Sequence, residues 1–133
     1  MNHLIKNNYK IQIRFNDCDM MGHVNNSIYL SYIEEARIIF LNSILEDSWD
    51  WKQKGIIIKK HDIEYLSPLT LSDDVNIFTE FGNIGNKSFE LIHTFYKNQE
   101  ITTKIKSLII CYNYNSSKTE LIYPELILKI NRL

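Results

Sequence analysis

The run Ser27-Ile28-Tyr29-Leu30-Ser31-Tyr32-Ile33-Glu34-Glu35-Ala36-Arg37-Ile38-Ile39-Phe40-Leu41-Asn42-Ser43-Ile44-Leu45 decides the fold. Ile28, Tyr29, Tyr32, Ile33, Ala36, Ile39, Phe40 and Ile44 recur at spacings of three and four, the period of one helix face. Glu34, Glu35 and Arg37 fall on the other side. The apolar stripe is wide, so the pattern predicts a helix packed deep against a sheet. Asn25, Asn26 or Ser27 supplies the N-cap. The helix should fade near Leu45, ahead of the polar Glu46-Asp47-Ser48.

Outward from this helix the period drops to two. Upstream, Tyr9, Ile11, Ile13 and Phe15 share one face, with Lys10, Gln12 and Arg14 on the other, which predicts a half-buried strand over 9–15. Downstream, 56–66 places Ile57, Lys59, His61, Ile63 and Tyr65 together, and Ser67-Pro68 ends that strand. Residues 74–81 group Val75, Ile77, Thr79 and Phe81. A turn is expected over 82–86. Residues 88–96 align Phe89, Leu91, His93 and Phe95, and 101–112 align Ile101, Thr103, Ile105, Ser107, Ile109 and Cys111. A polar loop over 113–118 follows, and Pro124 opens a short helix. His61 and His93 lie mid-strand and are expected to be satisfied core or interface histidines. The order is a strand, one long helix and four strands joined by short turns. It predicts an α+β architecture: a curved antiparallel five-stranded sheet wrapped round one central helix.

Composition sets the bounds. A chain of 133 residues fits one domain, 1–133, and 44% hydrophobic residues can build a core. A formal charge of −1 provides no field to gather nucleic acid or an anionic membrane. Only Cys18 and Cys111 are available, which points to free thiols in a reducing compartment. The start Met1-Asn2-His3-Leu4-Ile5-Lys6 lacks a leader's apolar stretch, and no run is long enough to span a bilayer. A cytoplasmic location is the expectation.

Chemistry concentrates in Asp17-Cys18-Asp19-Met20-Met21-Gly22-His23-Val24-Asn25-Asn26. Two carboxylates, an imidazole and two amides stand directly before a helix N-terminus. That terminus offers unpaired N–H groups and a positive partial charge. Such groups polarise a carbonyl and hold the oxyanion formed on attack. A neighbouring carboxylate can act as nucleophile or as general base for water. The competing reading is plain capping, which dipole attraction alone explains. A metal site from Asp17, Asp19 and His23 lacks a further spaced ligand set. No metal is expected. Cys18 has no basic partner at a telling spacing to activate it.

The stretch Arg14 to Leu30, with Glu34-Glu35-Ala36-Arg37 beyond, resembles the opening motif of hotdog-fold thioesterases of the 4-hydroxybenzoyl-CoA thioesterase type, including the YbgC-like acyl-CoA thioesterases. His23-Val24-Asn25-Asn26 is also similar to a run in acyl-carrier-protein thioesterases. The resemblance continues in Ile63-Glu64-Tyr65-Leu66-Ser67-Pro68-Leu69, Asp73-Asp74-Val75, Asn86-Lys87-Ser88-Phe89 and Ile105-Lys106-Ser107-Leu108, in the family's order.

The resemblance implies a thioester hydrolase acting on an acyl-CoA or an acyl carrier protein. Its catalytic carboxylate falls on Asp19. The backbone N–H that meets the thioester carbonyl falls on Asn26, where YbgC-like members carry histidine. The histidine of the acyl-carrier-protein group falls on His23, and Met21 stands where that group has asparagine. Asp17 is assigned to bracing the loop. Substrate contacts are expected from Gly22, Val24, Asn25, Tyr29, Lys59, Lys87 and Ser88. The two lysines meet coenzyme A phosphates or are simply solvated, and Tyr29 lines the acyl site or the core. No cofactor is implied beyond the coenzyme A or carrier of the substrate. The family pairs subunits edge to edge, which implies a homodimer or homotetramer. The alternatives are a hotdog acyl-thioester dehydratase or hydratase, and a non-catalytic binding protein.

Overall fold

Helix α1 (Ile28–Ile44) occupies the concave side of one antiparallel sheet. The computed structural model describes residues 4–133, so the first half of the Met1–Lys6 segment lies outside the described residues. The strands are β1 (Asn8–Lys10), β2 (Gly55–Tyr65), β3 (Val75–Ile84), β4 (Ser88–Lys97), β5 (Glu100–Asn113) and β6 (Lys118–Thr119), followed by helix α2 (Pro124–Ile130). The sheet order is β1-β3-β4-β5-β2, with β6 pairing β5 off that path. This is the curved sheet round one helix of the hotdog fold. The two-residue β6 is a sixth strand, beginning at Lys118 where the expected loop ends.

The helical stripe lands as its period requires. Tyr29, Tyr32, Ile33, Ala36, Phe40 and Ile44 are buried, and Leu41 joins them. Each large side chain so buried contributes about 1.5–3 kcal/mol of transfer free energy. Arg37 departs from expectation: it is half-buried rather than solvent-facing.

Three local departures stand out. The strand expected over 9–15 shrinks to β1, because Phe15–Asp17 turns into a single 3₁₀ turn. The Asp17 carboxylate accepts the Arg14 N–H at 2.9 Å, and Phe15 is left exposed. In β2 a bulge at Lys59 breaks the register between Ile58 and Lys60. An extra residue flips the faces that follow it. Ile56 and Ile58 therefore pack inward before it and Ile63 after it, and Ile57 does not share the face of Ile63. The expected turn over 82–86 starts later, since β3 runs through an irregularity to Ile84.

The core has two parts. Tyr29, Tyr32, Ile33, Leu69, Val75, Ile77, Phe95 and Ile105 gather under the N-terminal half of α1. Phe40, Leu41, Ile44, Phe89, Leu91, Ile109 and Cys111 gather under its C-terminal half, with Leu126 of α2.

Candidate active site

The segment before α1 folds into a small closed loop. Cys18 and Val24 form an antiparallel bridge, and the Asp19 N–H donates to the His23 carbonyl at 2.8 Å. The Gly22 N–H returns to the Asp19 carbonyl at 3.0 Å. Gly22 has φ of 79°, a conformation that costs glycine little and other residues more. Asp19 Oδ1 accepts the Met21 N–H at 2.9 Å and the His23 N–H at 3.3 Å. Its second oxygen receives no hydrogen bond among the described residues, and the side chain is exposed.

Asp17 has the opposite environment. It is 2% exposed, and its Oδ2 accepts the Tyr32 hydroxyl at 2.6 Å as well as the Arg14 N–H. The Arg14 guanidinium lies 3.7 Å from Oδ1. Burial pushes the carboxyl pKa up, but the Tyr32 and Arg14 hydrogen bonds and the Arg14 charge outweigh it and hold it below the usual carboxylate range. Asp17 is the brace of the loop. A cavity of about 220 Å³ has Asp17, Tyr32, Arg14 and Glu35 in its wall but neither Asp19 nor His23. Tyr9 donates its hydroxyl to Glu35 there, and that bond together with burial pushes the phenol up to about 12.

The end of the loop meets the helix. Val24 is buried and donates its N–H to the Leu69 carbonyl at 2.8 Å, while His23 bridges Thr70. The Asn25 N–H bonds the Asp17 carbonyl at 2.8 Å. Asn25 Oδ1 accepts both the N–H and the hydroxyl of Ser27 at 3.1 Å, an Asx turn that leads into the Ser27 N-cap, whose own side chain makes no capping bond. Among the described residues the Asn26 N–H meets no acceptor.

The structure thus brings Asp19, Gly22, His23, Val24, Asn25, Asn26 and Tyr29 to one end of α1. Tyr29 is buried core, edge-on to Tyr65 at 5.2 Å and beside Phe95 at 5.6 Å. Lys87 and Ser88 lie at the other end. Ser88 pairs with Ile110, next to residues packed on the C-terminal half of the helix. Seventeen helical residues, about 25 Å, separate the two ends. Lys59 projects from the β2 bulge and is exposed. The sequence reading missed two supports. One is Tyr32, hidden in the apolar stripe. The other is Asp73, whose carboxylate takes the Thr70 N–H at 2.8 Å and the Lys97 ammonium at 3.0 Å and so fixes the strand-side neighbour of His23. The Asp73-Asp74 pair was its visible signal. Among the described residues no group of three or more His, Cys, Asp or Glu is placed to hold a metal.

Known proteins share this fold. Escherichia coli long-chain acyl-CoA thioesterase FadM is 27% identical over 129 residues, covering 93% of this chain and 96% of that protein. Bacillus subtilis YsmA, an uncharacterized protein, is 30% identical over 85 residues, a match spanning 62% of this chain but only 55% of YsmA's length. A thioesterase from Thermus thermophilus, solved with coenzyme A and Zn, superposes with a TM-score of 0.83 at 25% identity, covering 94% of this chain and 91% of that one. Residues 13–130 match the family model of the thioesterase-like superfamily, and the chain belongs to that superfamily of thioester hydrolases.

Proposed function

We propose that this chain, as a single domain over 1–133, hydrolyses an acyl-CoA thioester with Asp19 as the catalytic carboxylate. The observation that carries the reading is the Asp19 side chain itself. It is exposed, with one oxygen fixed by two backbone N–H groups and the other uncommitted, beside a helix N-terminus whose Asn26 N–H has no acceptor among the described residues. The thioester carbonyl docks against Asn26, where the N–H and the helix dipole stabilise the developing oxyanion. Asp19 deprotonates a water that attacks the carbonyl carbon, or attacks it directly to give a mixed anhydride that water then cleaves. The C–S bond breaks, the thiolate takes a proton, and the acid leaves. A thiolate departs readily, so the scheme includes no further cofactor. His23 orients Asp19 or the water.

Coenzyme A bound in the Thermus relative supports coenzyme A as the carrier. Lys87 and Ser88 lie toward the far end of α1 from Asp19, and the reading has them serve the thioester of a second copy. β2 is an edge strand, open to pairing by another chain. Antiparallel pairing of two such edges brings one copy's far end toward the other's Asp19. The free thiols of Cys18 and Cys111 fit a cytoplasmic, reducing setting.

The test is thiol release over aryl, short-chain and long-chain acyl-CoA, repeated with acyl-carrier-protein thioesters. Hydrolysis abolished by Asp19→Asn supports the reading. A variant as active as wild type removes Asp19 from the chemistry.

A further inference from the structure

The bulge at Lys59 keeps the two faces of β2 in step along its whole length. With Lys59 set aside, Ile56, Ile58 and Ile63 fall on the helix side, where each packs against the core. His61 joins them: it stands opposite the wholly buried Ser107, with Nδ1 and Oγ 2.8 Å apart. Ile57, Lys60, Asp62 and Glu64 alternate with these and take the outer face. β2 stands last in the sheet order, so one side of this eleven-residue strand has no strand neighbour among the described residues. Ile58 and Ile63 are left half-buried, and no proline interrupts the run. A long apolar edge of this kind is a template for pairing with another chain.

Charge and face together limit how two copies of this edge can meet. In an antiparallel pair, directly opposite side chains share a face. A two-fold axis lying between two residues would set helix-side residues opposite outer ones, so the axis passes through a residue. An axis at Lys60 faces it with the partner's Lys60, and one at Asp62 faces it with the partner's Asp62. Like charges directly opposite are destabilising. An axis at Ile63 sets Asp62 against the partner's Glu64, and one at Ile58 matches no charges. An axis at His61 sets Lys60 opposite the partner's Asp62, once on each side of the axis. The same register sets Ile58 opposite the partner's Ile63, again twice, on the helix side. The Lys60 and Asp62 side chains are 63% and 67% exposed, so both can reach across the edge.

We propose that β2 pairs antiparallel with β2 of a second copy with His61 on the two-fold axis, Lys60 bound to the partner's Asp62 and Ile58 packed on the partner's Ile63. That two copies meet along β2 belongs to the thioesterase reading above, on which this rests, and the register is what is added. The register bears on the site. Tyr65 ends β2 edge-on to Tyr29 at the start of α1, while Ile56 begins it on the core under the far end of that helix. With His61 on the axis, Tyr65 lies opposite the partner's Ile56. Each copy's Asp19 end is thereby set beside the other's far end, and both α1 helices lie on one face of a continuous sheet.

The test is disulfide trapping in the full chain carrying Cys18→Ala, with the wholly buried Cys111 retained. Opposite Cβ atoms lie about 4.5–5.5 Å apart and diagonal ones about 7–8 Å, beyond easy disulfide reach. Lys60→Cys and Asp62→Cys chains, mixed and oxidised with diamide, should therefore cross-link roughly tenfold more than either chain alone. A second arm reads self-association by sedimentation equilibrium. Lys60→Glu and Asp62→Lys should each weaken it about tenfold, because two facing pairs per dimer become like-charged, and mixing the two variants should restore it. A dimer that cross-links no better in the mixture, or that the mixed charge variants fail to restore, overturns the register and leaves the second-copy reading standing. A chain that stays monomeric overturns both. Thiol release on the same samples is read separately: a trapped register with no hydrolysis of any acyl-CoA ends the thioesterase reading and leaves the interface in place.

Discussion

Tyr32 donates its hydroxyl to the buried carboxylate of Asp17 at 2.6 Å, tying the central helix to the loop fifteen residues before it. Burial, the bond to Asp17 and the Asp17 charge all push the Tyr32 phenol upward, so it stays a donor at any working pH. The bond fixes the loop from below, and Asp19, two residues on, is left facing solvent. Two carboxylates in one short motif thus hold different roles because one is enclosed and the other is not.

The division of labour between them is measurable. Asp19→Asn should lower kcat/KM by roughly a hundredfold to ten-thousandfold, the usual range for a lost acid–base group. Asp17→Asn should cost far less per folded molecule. Thiol release on the preferred acyl-CoA, normalised to folded protein by circular dichroism, decides it. The reverse ranking would assign the chemistry to Asp17.

Stability should rank the opposite way. Tyr32→Phe leaves a buried carboxylate short of one hydrogen bond and should cost about 1.5–3 kcal/mol in a urea melt. Asp19→Asn, on an exposed side chain, should stay within about 0.5 kcal/mol of wild type. Because Asp17 has a folded pKa below its unfolded value, its contribution is present above about pH 4 and is lost as pH falls through the folded pKa. Tyr32→Phe should weaken that acid dependence.

His93 sets a second pH window. Its folded pKa of about 3 lies below the unfolded value, chiefly through burial and then through Arg37 and His61. The unfolded chain therefore binds the extra proton first. Stability is full above the unfolded pKa near 6.5 and falls as pH drops toward about 3, at up to about 1.4 kcal/mol per pH unit. His61, shifted in the same direction, adds to the slope. Urea midpoints at pH 7.5 and 5.0 check it, with His93→Gln giving the flatter profile.

The shared-site reading makes a complementation prediction. Asp19→Asn and Lys87→Ala homo-oligomers should each be impaired. Mixing the two chains and allowing subunit exchange should restore activity, since one of the two sites in a mixed dimer then has wild-type residues from both copies. If Asp19 and Lys87 served one site within one chain, no mixed dimer would contain an intact site and activity would stay low.

Cavity formation gives a control for the core. Phe95→Ala removes a wholly buried ring against Tyr29 and should cost about 3–5 kcal/mol, read as a lowered urea midpoint with an unchanged slope.

Much of this was legible from residue types and spacing. The three-and-four stripe from Ile28 to Ile44 located α1, and strict alternation from Phe89 to Phe95 located β4 and its inner face. The Asp17–Asn26 motif marked the loop that the structure closes. Both signals depend only on nearest-neighbour geometry, 3.6 residues per helical turn and two per strand repeat, which any chain obeys locally. What spacing could not reveal is where a long-range partner overrides the local pattern. A bulge at Lys59 moved Ile57 off the expected face, and a carboxylate at Asp17 bent the chain before Phe15. Those outcomes depend on partners from β5 and on Arg14 that period alone does not name.

The same boundary separates the catalytic motif from its surroundings. By itself the sequence determined the fold class, the central helix and the carboxylate-rich loop at its start, because these follow from periodicity and from a contiguous motif. Only the tertiary structure decided that Asp17 is buried under Tyr32 while Asp19 faces water, that Lys87 and Ser88 sit toward the far end of α1 from Asp19, and that His93 is wholly buried with one ring nitrogen unpaired. Burial, solvent access and charge proximity are properties of packed neighbours distant in the chain, and those neighbours exist only once strands 2 to 5 close round the helix.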